Sequence, residues 1–500
     1  MSIAKKLVGQ TAAYGLSSIV GRALNYLLVP VYTAVFLPAE YGVVSYLYAF
    51  VGFFNILYTY GMETAFFRFA NKPGADRPRL YNQVLSLILS SSAVFTAILI
   101  LASGTIADYK DYSPQEQNYI VWLALILAID AIVAIPFAWL RLQNKAIKFA
   151  SIKLANILIT VAANLFFLVI CRNIYEGQYL QGLQPLVSHI YDPDFGIGYI
   201  FLINLVANAL LIPMLWRELS IFRFELNIEL LRPMLSYAYP LLFMGLAGMV
   251  NEVIDRILLE EWLPEGFYPQ YSNEAVVGIY SACYKLSIFM TLAIQAFRYA
   301  AEPFFFSQAE NKNSPQTFAL IMKWFVIVCA FIFLFISANL EDFSLFLRSK
   351  AYREGIMVVP VLLLANLFLG VYYNLSVWFK LTDKTKYGTY ISFGGAAITI
   401  LFNLLLIPVL GYMGSAWATF ICYFSMALVS YLLGNIHYPI PYPVKTITGY
   451  VLLAVALVLV ALYVPIQNYW VRHLVHLALP AVFAAIVLLR ERPGFFFRKF

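Results

Sequence analysis

The residues in this sequence that could do chemistry are ionisable side chains set inside long apolar segments. Arg22 lies near the middle of the first such segment. Glu63 and Arg68 close the second, and Asp130 is central in the fourth. Glu252, Asp255 and Arg256 sit in the seventh, and Lys285 and Arg298 in the eighth. A charge at bilayer depth costs at least about 2.5–3.5 kcal/mol on insertion scales, so such groups face a protein interior or a water-filled cavity. Glu252 and Arg256 are four residues apart on one helical face and can pair. Asp255 is rotated about 100° from Arg256, so no pairing along the helix is expected there. Across segments one, two, seven and eight, buried cations outnumber obvious buried anions. Surplus positive charge in a cavity suits an anionic ligand such as a phosphate or pyrophosphate group. Two readings stay open for Asp130, Glu63, Arg68, Glu252 and Asp255: interhelical ion pairs, or groups that gate or couple movement. For Asp130 the second reading is a proton or sodium site.

The segments that carry these residues dominate the chain. Of 500 residues, 62% are hydrophobic and 12% charged, against about 25% charged in a soluble domain. The expected class is an all-α polytopic membrane protein. The net charge of +7 is no signature of nucleic-acid binding, because the basic residues lie in short loops between apolar spans. With the N-terminus inside, about 22 basic residues fall on that side and about 6 on the other, which places both termini in the cytoplasm. Lys5 and Lys6 precede a long run interrupted by Arg22, which reads as a retained first span rather than a cleaved signal.

About fourteen spans are expected, from 12–36 and 41–66 to 446–465 and 474–489. The stretch from Arg232 to Phe305 organises the second half: one span over Leu235–Trp262, a short polar loop, and one continuous span over Ala275–Phe305. Before it, Arg217–Leu231 reads as a helix lying in the interface. Trp122 and Trp139 flank span four as residues of the two interfacial belts. A faint echo links the halves. At one offset of 236, Gly42, Ser45 and Tyr48 fall on Gly278, Ser281 and Tyr284, each set opening the second span after a short outer turn, as in parallel repeats.

Other signals are negative. No G-x-x-x-x-G-K-[ST] occurs, so energy must come from an ion gradient, from membrane potential or from consumption of product. Asp192-Pro193-Asp194 looks like an acidic metal pair but lies in an outer loop without a nucleotide-binding domain. Cys171, Cys283, Cys329 and Cys422 read as small core residues. His473 and His476 are three apart with no other ligand near them in sequence. No cofactor, metal or catalytic residue is expected. Tyr46, Tyr48, Tyr58, Tyr60, Tyr280 and Tyr284 read as packing or interfacial residues, with sugar stacking as the alternative.

In these residues the chain resembles the polysaccharide (O-antigen-type, Wzx-type) flippases of the multidrug/oligosaccharidyl-lipid/polysaccharide exporter superfamily. The resemblance rests on Glu40-Tyr41-Gly42 after span one, Gly61 with Arg68 at the end of span two, and Pro240 with Asp255-Arg256 in span seven. Gly278-Ile279-Tyr280-Ser281, Thr382-Asp383-Lys384-Thr385 and Gly411-Tyr412-Met413-Gly414-Ser415-Ala416 complete it. It implies two six-helix lobes, residues 1–217 and 218–435, around a central cavity, with two further helices and a basic tail in 436–500. It implies alternating access and a polyprenyl-pyrophosphate-linked oligosaccharide as cargo, a repeat unit of a surface polysaccharide such as lipopolysaccharide O-antigen. Arg22, Arg256, Lys285 and Arg298 are the positions that would bind the pyrophosphate. The protein would then be a monomer in the inner membrane, working beside polymerase and assembly proteins, with sodium or proton coupling as an option. In lipid II flippases of the same superfamily the last two spans form a lipid groove. Two rivals remain: a multidrug cation antiporter of the same fold, and a membrane polysaccharide polymerase or glycosyltransferase.

Overall fold

The computed structural model describes residues 19–308 and 314–491. The first part of span one, Lys5, Lys6 and the end of the basic tail lie outside them. The described residues are mainly helical, with no strand among them. By contact the chain divides into two compact units, residues 1–260 and 261–500.

The first unit holds α1 (Ile19–Val35), α2 (Pro38–Thr59), α3 (Met62–Ala70), α4 (Arg77–Tyr109), α5 (Pro114–Leu142), α6 (Ala146–Tyr175), α7 (Gly198–Met214) and nearly all of α8 (Ile228–Trp262). The second holds α9 (Asn273–Lys285), α10 (Ile288–Gln308), α11 (Ser314–Ala338), α12 (Val358–Leu381), α13 (Lys386–Leu410), α14 (Tyr412–His437), α15 (Val444–Tyr463) and α16 (Tyr469–Glu491). Among the described residues ten helical stretches are long and apolar enough to cross a bilayer, or eleven if the bent pair α9–α10 is one span. The shorter apolar α1 and α7, and the charged α8, occupy the other three of the fourteen expected positions.

Local sequence sets the helix ends. Pro38 stands in the first turn of α2, and the Glu40 carboxylate accepts from the Leu37 N–H at 2.7 Å, so the Glu40-Tyr41-Gly42 motif is a helix start. Ser113 and Glu116 exchange bonds at the start of α5, as a capping box does. Ser272 caps α9 through the Ala275 N–H. Gly42 and Gly278, the first residues of the two echoed motifs, are each buried near the start of their helix.

Three expectations fail locally. The stretch after the short helix Trp216–Leu219 is not an interfacial helix. It runs non-helically to α8, and α4 side chains hold it: Asn82 accepts from the Arg223 N–H, Ser86 from Glu225 and Gln83 from Asn227. Span eight is not continuous. It breaks after Lys285 with a 48° bend, where Ser287 turns its hydroxyl back to the Tyr284 carbonyl at 2.8 Å and receives the Asn366 amide. Serine competes with helical bonding in this way, without a Pro or Gly to announce it. Trp139 is no belt residue, being buried against Phe66 and Tyr81.

Two glycines are required by space. Gly61 follows α2 at φ +75°, where a Cβ would stand 3.1 Å from the Ala238 carbonyl oxygen of α8. At Gly414 a Cβ would lie 2.4 Å from the Leu406 carbonyl oxygen, so only glycine lets α14 fold back against α13. Overpacking of this kind costs about 1–3 kcal/mol. Gly414→Ala is therefore expected to lower the melting temperature of the detergent-solubilised protein. An unchanged melting temperature would show that the α13–α14 turn yields freely.

Candidate functional site

A cluster of charges and hydroxyls forms on α1, α2 and α8 within the first unit. Helical spacing builds it: Arg22 and Tyr26 are four apart on α1, Tyr41 and Ser45 four apart on α2, and Glu252, Asp255 and Arg256 share one side of α8. The Tyr26 hydroxyl lies within electrostatic reach of Arg256, Arg22 and Glu252. Tyr41 is within reach of Tyr26 and Arg256 and is hydrogen-bonded to Ser45. Arg256 is 9% exposed and Asp255 3%, whereas Arg22 is exposed.

The pairing inside this cluster differs from expectation. Arg256 Nη1 lies 2.8 Å from Asp255 Oδ1 and donates to the backbone carbonyl of Glu252 at 2.6 Å. The same Oδ1 accepts from the Arg256 N–H at 2.9 Å. The 100° rotation separates the Cβ atoms of neighbours, but a flexible guanidinium arm can fold back over the backbone to reach its neighbour. Among the described residues of this cluster, Arg22 and Arg256 stand with Glu252 and Asp255, two charges of each sign.

A second charged set lies in the same unit. Asp130 on α5 faces Lys153 on α6, and Lys153 Nζ sits 4.3 Å from the centroid of the Phe137 ring. Lys153 also feels Glu63 and Arg141, and these two form an ion pair. Glu63 thus ties α3 to α5. Arg68 stacks over the Tyr237 ring at 4.1 Å and ties α3 to α8. Sequence reasoning missed Lys153 and Arg141, although Lys153 was visible as a lone charge in span five. Elsewhere in the unit, Lys110 lies 3.5 Å from the buried Glu260 and 4.4 Å over the Tyr46 ring, beside an apolar cavity of about 270 Å³ lined by Phe50, Phe54, Leu99 and Leu123.

In the second unit Lys285 ends α9 at the break, half-buried. Arg298 lies 13 residues further on, past the bend, so the two are not brought together. The Arg298 guanidinium sits 4.0 Å over the Tyr373 ring. Arg298 and Tyr373 line a small cleft with Phe297, Phe305 and Lys380, the last a cation that the sequence did not single out. An apolar groove of about 420 Å³ runs among α11, α12, α14 and α15, lined by Val326, Phe368, Leu428, Ile447 and Val451. It uses α15 of the last two helices. Beside it α16 is pinned to α11 by Lys323–Glu491 and to the residues after α11 by Arg472–Glu341 at 2.7 Å and His473–Asp342 at 3.6 Å.

The remaining sequence candidates are structural. Asp192 accepts from the Asp194 N–H at 3.0 Å and caps a single turn. The four cysteines are buried thiols. No group of three or more metal-ligating side chains occurs among the described residues. Of the tyrosines, Tyr48 stacks on Phe201 and receives the Asn204 amide, while Tyr58 and Tyr60 bond to Thr96 and Ser91. Tyr280 is fully buried against Tyr284. They are packing residues.

Comparison with known proteins follows the same line. The structure is similar to "Lipid II flippase MurJ, inward closed conformation", with a TM-score of 0.68 and 13% identity over 95% of this chain and 98% of that one. It is also similar to an inward-facing multidrug resistance MATE family transporter of the MOP superfamily, with a TM-score of 0.57 and 13% identity over 86% and 95%. A third likeness is the MATE multidrug transporter DinF-BH, with a TM-score of 0.56 and 14% identity over 88% and 97%. At such identity these show the fold. No curated protein sequence matches the chain. The family model described as "Polysaccharide biosynthesis protein" matches residues 7–308, and the chain therefore belongs to the polysaccharide biosynthesis protein family, on the polytopic fold shared with lipid II flippases and MATE transporters.

Proposed function

We propose that this protein is a flippase that carries a polyprenyl-diphosphate-linked oligosaccharide, a repeat unit of a surface polysaccharide, from the cytoplasmic to the outer leaflet of the inner membrane. The observation that carries the reading is the α1–α2–α8 cluster, in a chain of the polysaccharide biosynthesis family. Two arginines and two tyrosine hydroxyls converge there. Diphosphate oxygens are acceptors only, and guanidinium and hydroxyl groups supply the donors. Lys285 and the Arg298–Lys380 pair are further stations for the head group, and the groove beside α15 suits a prenyl chain. Movement proceeds by alternating access. A diphosphate moving outward carries negative charge down an inside-negative potential, worth about 2.3 kcal/mol per charge per 100 mV. Both termini are cytoplasmic in this reading, no catalytic step is required, and polymerase and assembly proteins receive the cargo.

A second reading, a cation antiporter, rests on the MATE likeness and on Asp130. Lys153 facing Asp130 argues against a cationic drug there and favours ion coupling at that pair.

Translocation in proteoliposomes tests the reading. Lipid-linked oligosaccharide placed in both leaflets should become fully accessible to an external sugar-modifying enzyme only when the protein is present. Arg22→Ala with Lys285→Ala should slow this at least about tenfold, which corresponds to 1.4 kcal/mol, in protein that still purifies as a folded species. Wild-type rates in the double variant would remove the cations from the path. Gradient-driven uptake of a cationic dye without lipid movement would favour the antiporter. For coupling, an imposed proton or sodium gradient is expected to accelerate the wild type and to leave Asp130→Asn unresponsive. An equal response in both would exclude Asp130 as the coupling group.

A further inference from the structure

We infer that Asp255 is a resident anion that holds Arg256 between transport events and thereby selects diphosphate cargo over the phospholipids of the surrounding bilayer. The inference rests on the flippase reading and names the selectivity of that same site.

The geometry begins with one oxygen. Asp255 Oδ1 accepts from both the backbone N–H and Nη1 of the next residue, at 2.9 and 2.8 Å. Nη1 also donates to the Glu252 carbonyl one turn back, at 2.6 Å. These bonds fold the guanidinium arm down onto its own helix. A carboxylate on the adjacent residue, tethered by the backbone, meets the guanidinium at the nitrogen Nη1. A phosphate is free to meet the flat fork of an arginine through two nitrogens, which is the stronger geometry.

The surroundings require an occupant. Arg256 and Asp255 are both buried, and a buried guanidinium stripped of its anion is strongly destabilised. Without Asp255, the anions left to Arg256 are Glu252, one turn back on α8, and the phosphodiester of a membrane lipid, with one negative charge. Asp255 carries the same charge, is tethered, and loses no freedom on binding, so a phosphodiester gains little by displacing it. A diphosphate brings more charge and more oxygens, and Arg22, Tyr26 and Tyr41 lie within electrostatic reach of the same cluster. It can displace Asp255 where a phospholipid cannot. When cargo leaves, the carboxylate returns and lowers the barrier to release. The charged neighbours in this exchange are Glu252 on α8 and Arg22 on α1.

The test uses the purified full-length protein, with geranylgeranyl diphosphate and phosphatidylglycerol as probes and native mass spectrometry as the readout. The wild type should bind the diphosphate and keep it against a tenfold excess of phosphatidylglycerol. Asp255→Asn should bind both at least fivefold more tightly, hold phosphatidylglycerol in competition, and release cargo more slowly in proteoliposomes. In an Arg256→Gln background the same change should alter binding less than twofold, because the effect acts through Arg256. Unchanged or weaker binding by Asp255→Asn, or an equal effect without Arg256, would overturn the inference. So would effective competition by phosphatidylglycerol in the wild type, which needs no variant to fold. A wild type that binds no diphosphate would overturn the flippase site as well, whereas diphosphate binding that Asp255→Asn leaves unaltered removes this inference alone.

Discussion

A guanidinium buried in a membrane-spanning bundle needs an anion beside it, and that requirement shapes the first unit. Arg256 has Asp255, with Glu252 near enough to act on the same tyrosine. Lys153 faces Asp130, Arg141 holds Glu63, and Lys148 meets the buried Glu218 at 2.6 Å. The Arg141–Glu63 and Lys148–Glu218 pairs join separate helices, and the buried Arg256–Asp255 pair is stable only with both partners in place. A site assembled from such pairs is neutral when empty. Its ligand must win an exchange of partners rather than fill a bare positive hole.

In the second unit Lys323 and Arg472 are likewise paired with carboxylates, whereas Lys285 and Arg298 are set differently. Lys285 is placed where a helix breaks, and Arg298 lies across an aromatic ring beside Lys380. A ring face offers partial negative charge without a carboxylate, which leaves the guanidinium able to accept an anion. The apolar groove on α15 and the ion pairs that pin α16 to α11 and the residues after it give the last two helices a packing role of their own. In the proposed reading, these cations would meet the charged head of an amphiphile and the groove its apolar chain.

How much was legible in the sequence depended on range. Hydropathy gave the class and the span positions, since twenty apolar residues with few charges admit little else. Glu40 stood out as part of a motif, whereas the caps at Ser113 and Ser272 were not singled out although their type and spacing fit a helix start. The glycines of Gly411-Tyr412-Met413-Gly414 stood out as a motif, but their reason, the Leu406 carbonyl 2.4 Å from where a Cβ would be, needs coordinates. The Arg256 partner was misjudged because spacing rules describe Cβ positions, while a long side chain chooses its partner at its tip. Lys153 and Lys380 were visible as letters yet not as site members, since only tertiary packing brings them beside Asp130 and Arg298. The break after Lys285 was hidden for a similar reason: a serine hydroxyl and an asparagine from α12 create it, and neither is a strong breaker alone.

The central claim is that the arginines of α1 and α8 receive a diphosphate head group. A cryo-electron microscopy structure of the protein with a polyprenyl-diphosphate oligosaccharide bound would examine this directly. The account predicts diphosphate density within hydrogen-bonding distance of the Arg256 guanidinium, with Arg22 beside it and the Asp255 carboxylate turned away. A head group bound elsewhere, with Asp255 still on Arg256, would contradict it.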